Sequence, residues 1–487
     1  MKIFFLNPPF KGRFSRTSRS PAITKGGTLY YPFWLAYAVG VAEQNGHDIR
    51  FIDAPADNLE LQDIFTLLED FIPDIAVLDT STASIYSDVK VGDEIKKRFP
   101  HCFLILVGTH PSALPEDTLN LSKSIDAVTI GEYDFTIRDI ANALEQKLSL
   151  HNVPGLVFRH NEEYIKTAER EKIEDLDSLP FVTSVYKKYL NYKNYFFAAA
   201  KYPMVMIITG RGCPFKCFFC LYPQVFHSRR YRPRSPENIV AEFKYIKENF
   251  PDLKEIGIED DCFTVNTARV RKICQLLIEE KLNMTWYCNV RGDVDYETLS
   301  LMKQAGCRLV TVGFESGVQS ALDQMHKNEK IKNYYQFAKD AQKAGIMVHG
   351  CIMAGTPGDS LEVQKENYRF ALKINCDSMQ FYPLYVYPGT EAYTWAKENG
   401  YLKTEDFSQW LTEDGNHNCV IDTDIFTGQE LVDLCNQNLR KYHLRPAYIL
   451  MKLKQAIRDP EEGLRSIKSG IIFIKKILSL KRKGDKC

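Results

Sequence analysis

A chain of 487 residues in which 62 Lys and Arg balance 62 Asp and Glu is too long for one ordinary core, and it carries no overall field to draw it to nucleic acid. At about 150 residues per domain the length predicts roughly three units. The opening MKIFFLNPP lacks the features of a secretory signal, and no apolar run reaches the roughly 18 to 20 residues that cross a bilayer, so a cytoplasmic chain is expected.

In chain order, short apolar runs first alternate with amphipathic stretches: IFFLN, WLAYAVGVAEQNG, IRFIDA, IAVLDTS, VKVGDEIKKRF, FLILVGTH and AVTIGEYD. Uninterrupted apolar strands separated by helices of three or four turns predict an α/β domain over residues 1–145, a Rossmann-like doubly wound parallel sheet. Residues 146–195, beginning near GLVFRHNEEYIKTAE, read as a connector with its own short strands between two cores. The alternation resumes over 196–400 with VMIITG, EIGIEDD, WYCNVRGD, LVTVGFESG, VHGCIMAGTPG and MQFYPLYVYPGTE. Six such units predict a partial (β/α)6 barrel of the TIM type, with its site at the C-terminal ends of the strands. Residues 401–487 read as a mainly helical C-terminal region. Its tail sets Ile471, Ile474, Ile477 and Leu478 at helical spacing beside Lys475, Lys476, Lys481, Arg482 and Lys483. Such a helix either lies peripherally on anionic lipid at the inner membrane face or packs against the barrel.

Thirteen cysteines, an odd number, argue against a disulfide framework in an intracellular chain. Three of them cluster in TGRGCPFKCFFC, where Cys213, Cys217 and Cys220 follow the first barrel strand in a loop opened by Gly210 and Gly212. Three thiolates from one loop can hold three irons of a cubane [4Fe–4S] cluster and leave the fourth open to a small ligand. The competing reading is tetrahedral zinc completed by His227, although structural zinc sites usually assemble from two separate cysteine pairs. The scattered cysteines read as small buried apolar residues.

The C-x3-C-x2-C loop after the first strand of a six-unit barrel resembles the radical SAM superfamily. That resemblance implies a [4Fe–4S] cluster whose open iron binds S-adenosylmethionine (SAM), reductive cleavage of SAM to a 5′-deoxyadenosyl radical, and an electron donor such as flavodoxin or ferredoxin. It also implies residues around SAM. Phe219 would pack near the adenine, or simply cover the cluster. Asp260 or Asp261 would receive the methionine amino end, or both would cap the next helix. Glu315 and Ser316 would meet ribose and methionine groups, with an N-cap as the alternative, and Lys327 would meet the methionine carboxylate, or lie solvated on the surface. Arg291 would bind a carboxylate of substrate or cofactor, or pair with Asp293, and Gly355, Pro357 and Gly358 would let backbone approach the adenine.

A Rossmann-like domain ahead of such a barrel resembles the cobalamin-binding class of radical SAM enzymes, through LNPP, YYPFWLAYAVG, VGTHPSALPED and AVTIGEYD. The resemblance implies cobalamin, with Gly108 and Gly131 at strand ends allowing backbone to approach the corrin. No D-x-H-x-x-G run occurs, and His110 does not meet that spacing, so no histidine is offered as a lower ligand. The segments YPFWLAYAV and IDAPAD are similar to the hopanoid-associated radical SAM protein implicated in making cyclitol ether, and to calditol synthase. The class as a whole implies methyl transfer, or radical cyclisation or rearrangement, on a lipid or other small molecule. A carrier or sensor that binds iron–sulfur and corrinoid groups without catalysis is the alternative.

Overall fold

The computed structural model describes residues 1–467 apart from Lys25 and Glu162, together with residues 470 and 471. The first sheet contains β1 (Lys2–Asn7), β2 (Asp48–Asp53), β3 (Ile75–Thr80), β4 (Phe103–Gly108), β5 (Ala127–Thr129), β6 (Leu156–His160) and β7 (Glu163–Lys166), in the order β2-β1-β3-β4-β5-β6-β7. β1 to β5 are parallel, as their apolar runs predict. In β1, Ile3 and Phe5 enter one core while Phe4 and Leu6 enter another, because successive side chains point to opposite faces and helices cover both.

Two expected boundaries are corrected. The hairpin β6–β7 adds antiparallel strands beyond the three-residue β5, so the sheet runs on to Lys166 instead of ending near residue 145. The segment from 146 to 195 also does not separate two cores. The larger buried cluster runs from Phe5 and Trp34 of the first domain through Tyr186 to Met206 and Phe314 of the second.

The second sheet contains β8 (Met204–Ile207), β11 (Glu255–Ile258), β12 (Trp286–Val290), β13 (Cys307–Glu315), β14 (Met347–Ala354) and β15 (Ser378–Pro383), all parallel in the order β15-β14-β13-β12-β11-β8. A two-stranded ribbon of β9 (Gly210–Arg211) and β10 (Arg232–Pro233) interrupts the path after β8. Short polar residues start the intervening helices. The side chains of Ser235, Asn266, Asp295 and Ser360 each accept a backbone N–H from the first helical turn. Since Asn266 caps the helix after β11, Asp260 and Asp261 do not.

The C-terminal region is not helical from its start, as expected above. Residues 402–421 form a strap held by isolated bridges between Leu402 and Ile421 and between Leu411 and His417. The backbone N–H of Ile23 donates to Gly415 O, and Phe407 packs on His110 and Tyr86 of the first domain. Helices Gly428–His443 and Pro446–Arg458 follow. No described helix is long and apolar enough to cross a membrane. The tail positions Ile474, Ile477 and Leu478 lie outside the described residues.

Candidate active site

The ribbon β9–β10 closes the base of the cysteine loop. Gly212 has φ +80°, and a Cβ there would sit 2.1 Å from Arg230 O, so glycine lets the two arms meet. Within the loop Gln224 Nε2 donates to the carbonyls of Cys217, Phe218 and Cys220 at 3.4, 3.0 and 2.8 Å. Cys213 and Cys217 are buried and Cys220 is half-buried. Burial pushes the Cys213 thiol up to about 12 and raises the other two, so metal binding must displace their protons.

This donor set fits a cubane bound through three of its irons. Among the described residues no three His, Cys, Asp or Glu side chains converge on a single ion site. His227, the proposed fourth zinc ligand, gives its Nδ1 to Glu132 at 3.0 Å and is sealed from solvent. Phe219 is half-buried beside Phe218, with ring centroids 5.9 Å apart.

The strand ends around this loop are strongly charged. After β11 the side chains alternate: Asp260 turns to β8 and accepts from the Thr209 N–H and hydroxyl, both at 2.6 Å, while Glu259 and Asp261 line the cavity. Asp261 Oδ2 is buried without a hydrogen-bond partner. The structure thus separates the two adjacent aspartates, one fastening strands and one facing open space.

Glu315 ends β13 in the left-handed region at φ +63°, after a register shift, and is buried. Its carboxylate meets Lys327 Nζ at 3.5 Å and accepts from the Tyr382 hydroxyl at 3.0 Å. Lys327 is no surface residue: it is buried between Glu315 and Glu329, both at 3.5 Å, and its charge opposes the upward shift of Cys217. Arg291 lies 3.6 Å over the Phe215 ring of the cysteine loop and donates to the Lys327 and Asn328 carbonyls. Asp293 lies 3.6 Å from the Arg291 Nε.

Ser316 is spent on structure, since its hydroxyl donates to Asn367 Oδ1 and accepts the Val318 N–H. The turn expected at an adenine has side chains of two helices beside it. A Cβ on Gly355 would strike Leu431 at 2.7 Å, one on Gly358 would strike Gln324 at 2.3 Å, and Pro357 is half-buried between them in sequence. The C-terminal helix carrying Leu431 takes the space that sequence alone leaves open.

The first sheet faces this mouth across a crevice. One small cavity is lined by Arg19, Tyr30, Glu259 and Asp261, and another by Arg16, Asp79, Thr80, Gly108 and Thr109. Thr17, Trp34 and Tyr222 line both. Gly108 has φ +117°, and a Cβ there would fall 2.3 Å from Thr80 O. Gly131 is approached by Lys172 and by the Phe226 carbonyl of the cysteine-loop segment.

At the same sheet edge Asp79 Oδ2 and the Tyr133 hydroxyl are buried without partners. Burial raises the Asp79 carboxyl to about 7, partly opposed by Arg16. His110 contacts the Thr82 hydroxyl at 3.2 Å and is held neutral, its pKa lowered by burial to about 3. Unpartnered neutral donors at a glycine edge fit a large ligand rich in amide groups, as a corrin is. Arg16, Thr17, Arg19 and Tyr30 of the loop after β1 line the two cavities, and Phe407 of the strap packs on His110 beside them.

A buried ionic network locks the domains beside the cysteine loop. Glu132 is shared by Arg211, Arg232 and His227, and Asp134 pairs with Arg211 at 2.7 and 3.0 Å. Sequence reasoning missed this network, and it missed Arg19, whose guanidinium donates to the Glu259 carboxylate at 3.1 Å and to the Asp260 carbonyl at 2.6 Å. The available signal was the RFSRTSRSP stretch inside a long connection with no strand or helix period, since structureless loops of that length in compact domains are usually functional.

The chain matches the Radical SAM superfamily over residues 207–371 and the B12 binding domain over residues 19–141. It is 28% identical to an uncharacterized methyltransferase of Pyrococcus horikoshii over 451 residues, covering 92% of this chain and 94% of that protein. It is 25% identical to the anaerobic magnesium-protoporphyrin IX monomethyl ester cyclase of Cereibacter sphaeroides, covering 92% and 71%. Among solved structures, the radical S-adenosylmethionine methyltransferase TsrM from Kitasatospora setae superposes with a TM-score of 0.70 at 13% identity, over 92% of this chain and 89% of that one. The sequence similarity spans both domains and the mouth between them.

Proposed function

Because the chain combines a radical SAM core with a B12 binding domain, and so uses a [4Fe–4S] cluster, SAM and cobalamin, we propose that it is a methyltransferase acting on an unactivated carbon of a small molecule. The observation that carries this reading is the shared wall of Thr17, Trp34 and Tyr222, which makes the barrel mouth and the first-sheet crevice neighbouring compartments. Handing a methyl group between cofactors needs that adjacency, whereas rearrangement within the barrel alone does not.

When bound, the cluster supplies the electron that splits SAM, and the corrin supplies the methyl group. Cys213, Cys217 and Cys220 hold the cluster. Asp261 takes the methionine amino group, which supplies the cationic partner its buried oxygen lacks. Lys327, steadied by Glu315 and Glu329, takes the methionine carboxylate, and Arg291 braces the cysteine loop through Phe215. Asp79, Tyr133 and the Gly108 edge receive the corrin, and Phe219 shields the cluster. A flavodoxin- or ferredoxin-type protein delivers the electron.

The test is anaerobic reconstitution with iron, sulfide, reductant, hydroxocobalamin and SAM carrying a deuterated methyl group, followed by corrin quantitation and mass spectrometry. Retained corrin with S-adenosylhomocysteine beside 5′-deoxyadenosine is the expected result. 5′-Deoxyadenosine alone, without retained corrin, would turn the reading to cyclisation, the activity named for the Cereibacter relative. Alanine at any one of the three loop cysteines is expected to abolish both nucleoside products; neither product from the native chain would leave a carrier or sensor.

A further inference from the structure

The helix Pro446–Arg458 and the helical residues 460–467 form a hairpin, closed where Gly463 packs on Ala456, and the hairpin is amphipathic in the reverse of the usual sense. Its polar side is turned inward. The Tyr448 hydroxyl donates to Asp377 O at 3.0 Å, Gln455 bonds the Asp377 carboxylate, Glu462 pairs with Arg308 at 3.1 Å, and Arg465 donates to Ala198 O at 2.8 Å. Arg308 in turn pairs with Glu255. These contacts lie at the N-terminal ends of β11, β13 and β15, the end of the barrel opposite the cysteine loop.

The apolar side faces out. Ile449, Leu450, Leu453 and Ile457 follow one another at helical spacing, and Leu464 and Ile467 continue the surface on the second arm. All six are exposed, Ile457 to 83% and Leu464 to 70%. A contiguous apolar surface of this kind on a folded chain marks something that covers it.

Its charge selects the occupant. Lys454 and Arg458 flank the stripe on its exposed side. From Ser466 to Gly484 the sequence holds six Lys or Arg and no Asp or Glu. A second copy related by a two-fold axis would set these like charges against each other, whereas an anionic bilayer surface satisfies both the leucines and the cations. We propose that this hairpin is a membrane-docking face that seats the barrel on anionic lipid. The mouth then points away from the bilayer, so a substrate enters from the aqueous side. This does not depend on which reaction the enzyme performs.

The test is co-sedimentation of the full chain with vesicles of phosphatidylcholine alone or of equal parts phosphatidylcholine and phosphatidylglycerol, at low and high salt. Binding to the mixed vesicles only, weakened by salt, is expected. The variant Leu453→Glu/Ile457→Glu, altered only at exposed positions, is expected to reduce partitioning by at least about tenfold while its circular dichroism and reconstituted iron content match the native chain. Three results overturn the proposal: the full chain staying in the supernatant with the mixed vesicles, as it would if its own tail covered the stripe; equal binding by the double variant; or a native dimer in light scattering that the double variant converts to monomer.

Discussion

The barrel mouth and the edge of the first sheet face one crevice, and both hold paired charges, yet they differ in the carboxyl each leaves without a partner. Around the cysteine loop, full charges are held in pairs: Lys327 is buried with Glu315 and Glu329, and the half-buried Arg19 meets the buried Glu259. One carboxylate, Asp261, keeps an oxygen without a partner. At the end of β3 the corresponding carboxyl, Asp79, is instead pushed toward neutrality by burial. A site holding paired charges and one unpaired anion suits a compact ligand with charges of both signs. A site lined by Gly108, the Asp79 carboxyl and Arg16, whose charge is already paired with Asp88, suits a broad ligand whose polarity lies in amides. Under the proposed assignment each edge receives a different cofactor, and the two can be perturbed separately.

The lock between the edges is the most costly feature to break. Glu132→Ala leaves Arg232 and His227 buried beside each other without the carboxylate they share, and losing one partner of a buried ionic network costs about 3 to 5 kcal/mol. Chemical denaturation should register that loss, and both edges should lose their ligands together. If corrin retention falls while the cluster stays intact, the network serves the first domain alone.

Asp79→Asn tests the neutral edge. The Asp79 pKa is raised from 3.8 to about 7 in the fold, so between these values the folded chain binds a proton that the unfolded chain has released. Its contribution is present at low pH and is lost as pH rises through about 7, on the order of 4 kcal/mol across the window. The asparagine variant is expected to show a flatter stability profile between pH 4 and 7 and to retain corrin, because it still offers a neutral donor. An unchanged profile would mean that Asp79 is ionised in the fold, and the contrast between the edges would weaken.

How these features divide between sequence and structure follows from their range. Strand runs, the six barrel units and the cysteine loop are local patterns of apolar period, turn residues and thiol spacing, and they were legible. Alternation also foretold that only one of Asp260 and Asp261 looks into the barrel, but choosing Asp261 required knowing that Thr209, just after β8, occupies the other. The Glu132 network joins residues about a hundred positions apart, and no local signal marks such a pair. The packing around the turn at Gly355 and Gly358 is hidden for the same reason, since the Leu431 and Gln324 beside it come from elsewhere in the chain.

The paired aspartates give a sharper comparison within the charged edge. Asp261→Asn removes the charge facing the cavity and is expected to weaken SAM binding by about 1.5 to 3 kcal/mol, measured by equilibrium dialysis, with thermal stability nearly unchanged. Asp260→Asn should do the reverse, because it alters two short hydrogen bonds between the segments that follow β8 and β11, and its side chain does not line the cavity that Glu259 and Asp261 share. If Asp260→Asn is the variant that weakens SAM binding, the orientation read from Thr209 is not the one the ligand meets.

The smallest effect is expected at Gly358, where the two edges can be compared glycine for glycine. Gly108 is hemmed by the backbone carbonyl of Thr80, which cannot move aside, whereas the nearest atoms to an added Cβ on Gly358 belong to the flexible end of Gln324. Gly358 also lies exposed with φ +73°. Alanine there should cost about 1 kcal/mol, mainly from the left-handed backbone, and should leave SAM affinity as it was. A tenfold loss of affinity, about 1.4 kcal/mol, would mean that Gln324 swings away when SAM binds and that the turn does meet the adenine. The paired charges of the barrel mouth would then be only half of its recognition surface.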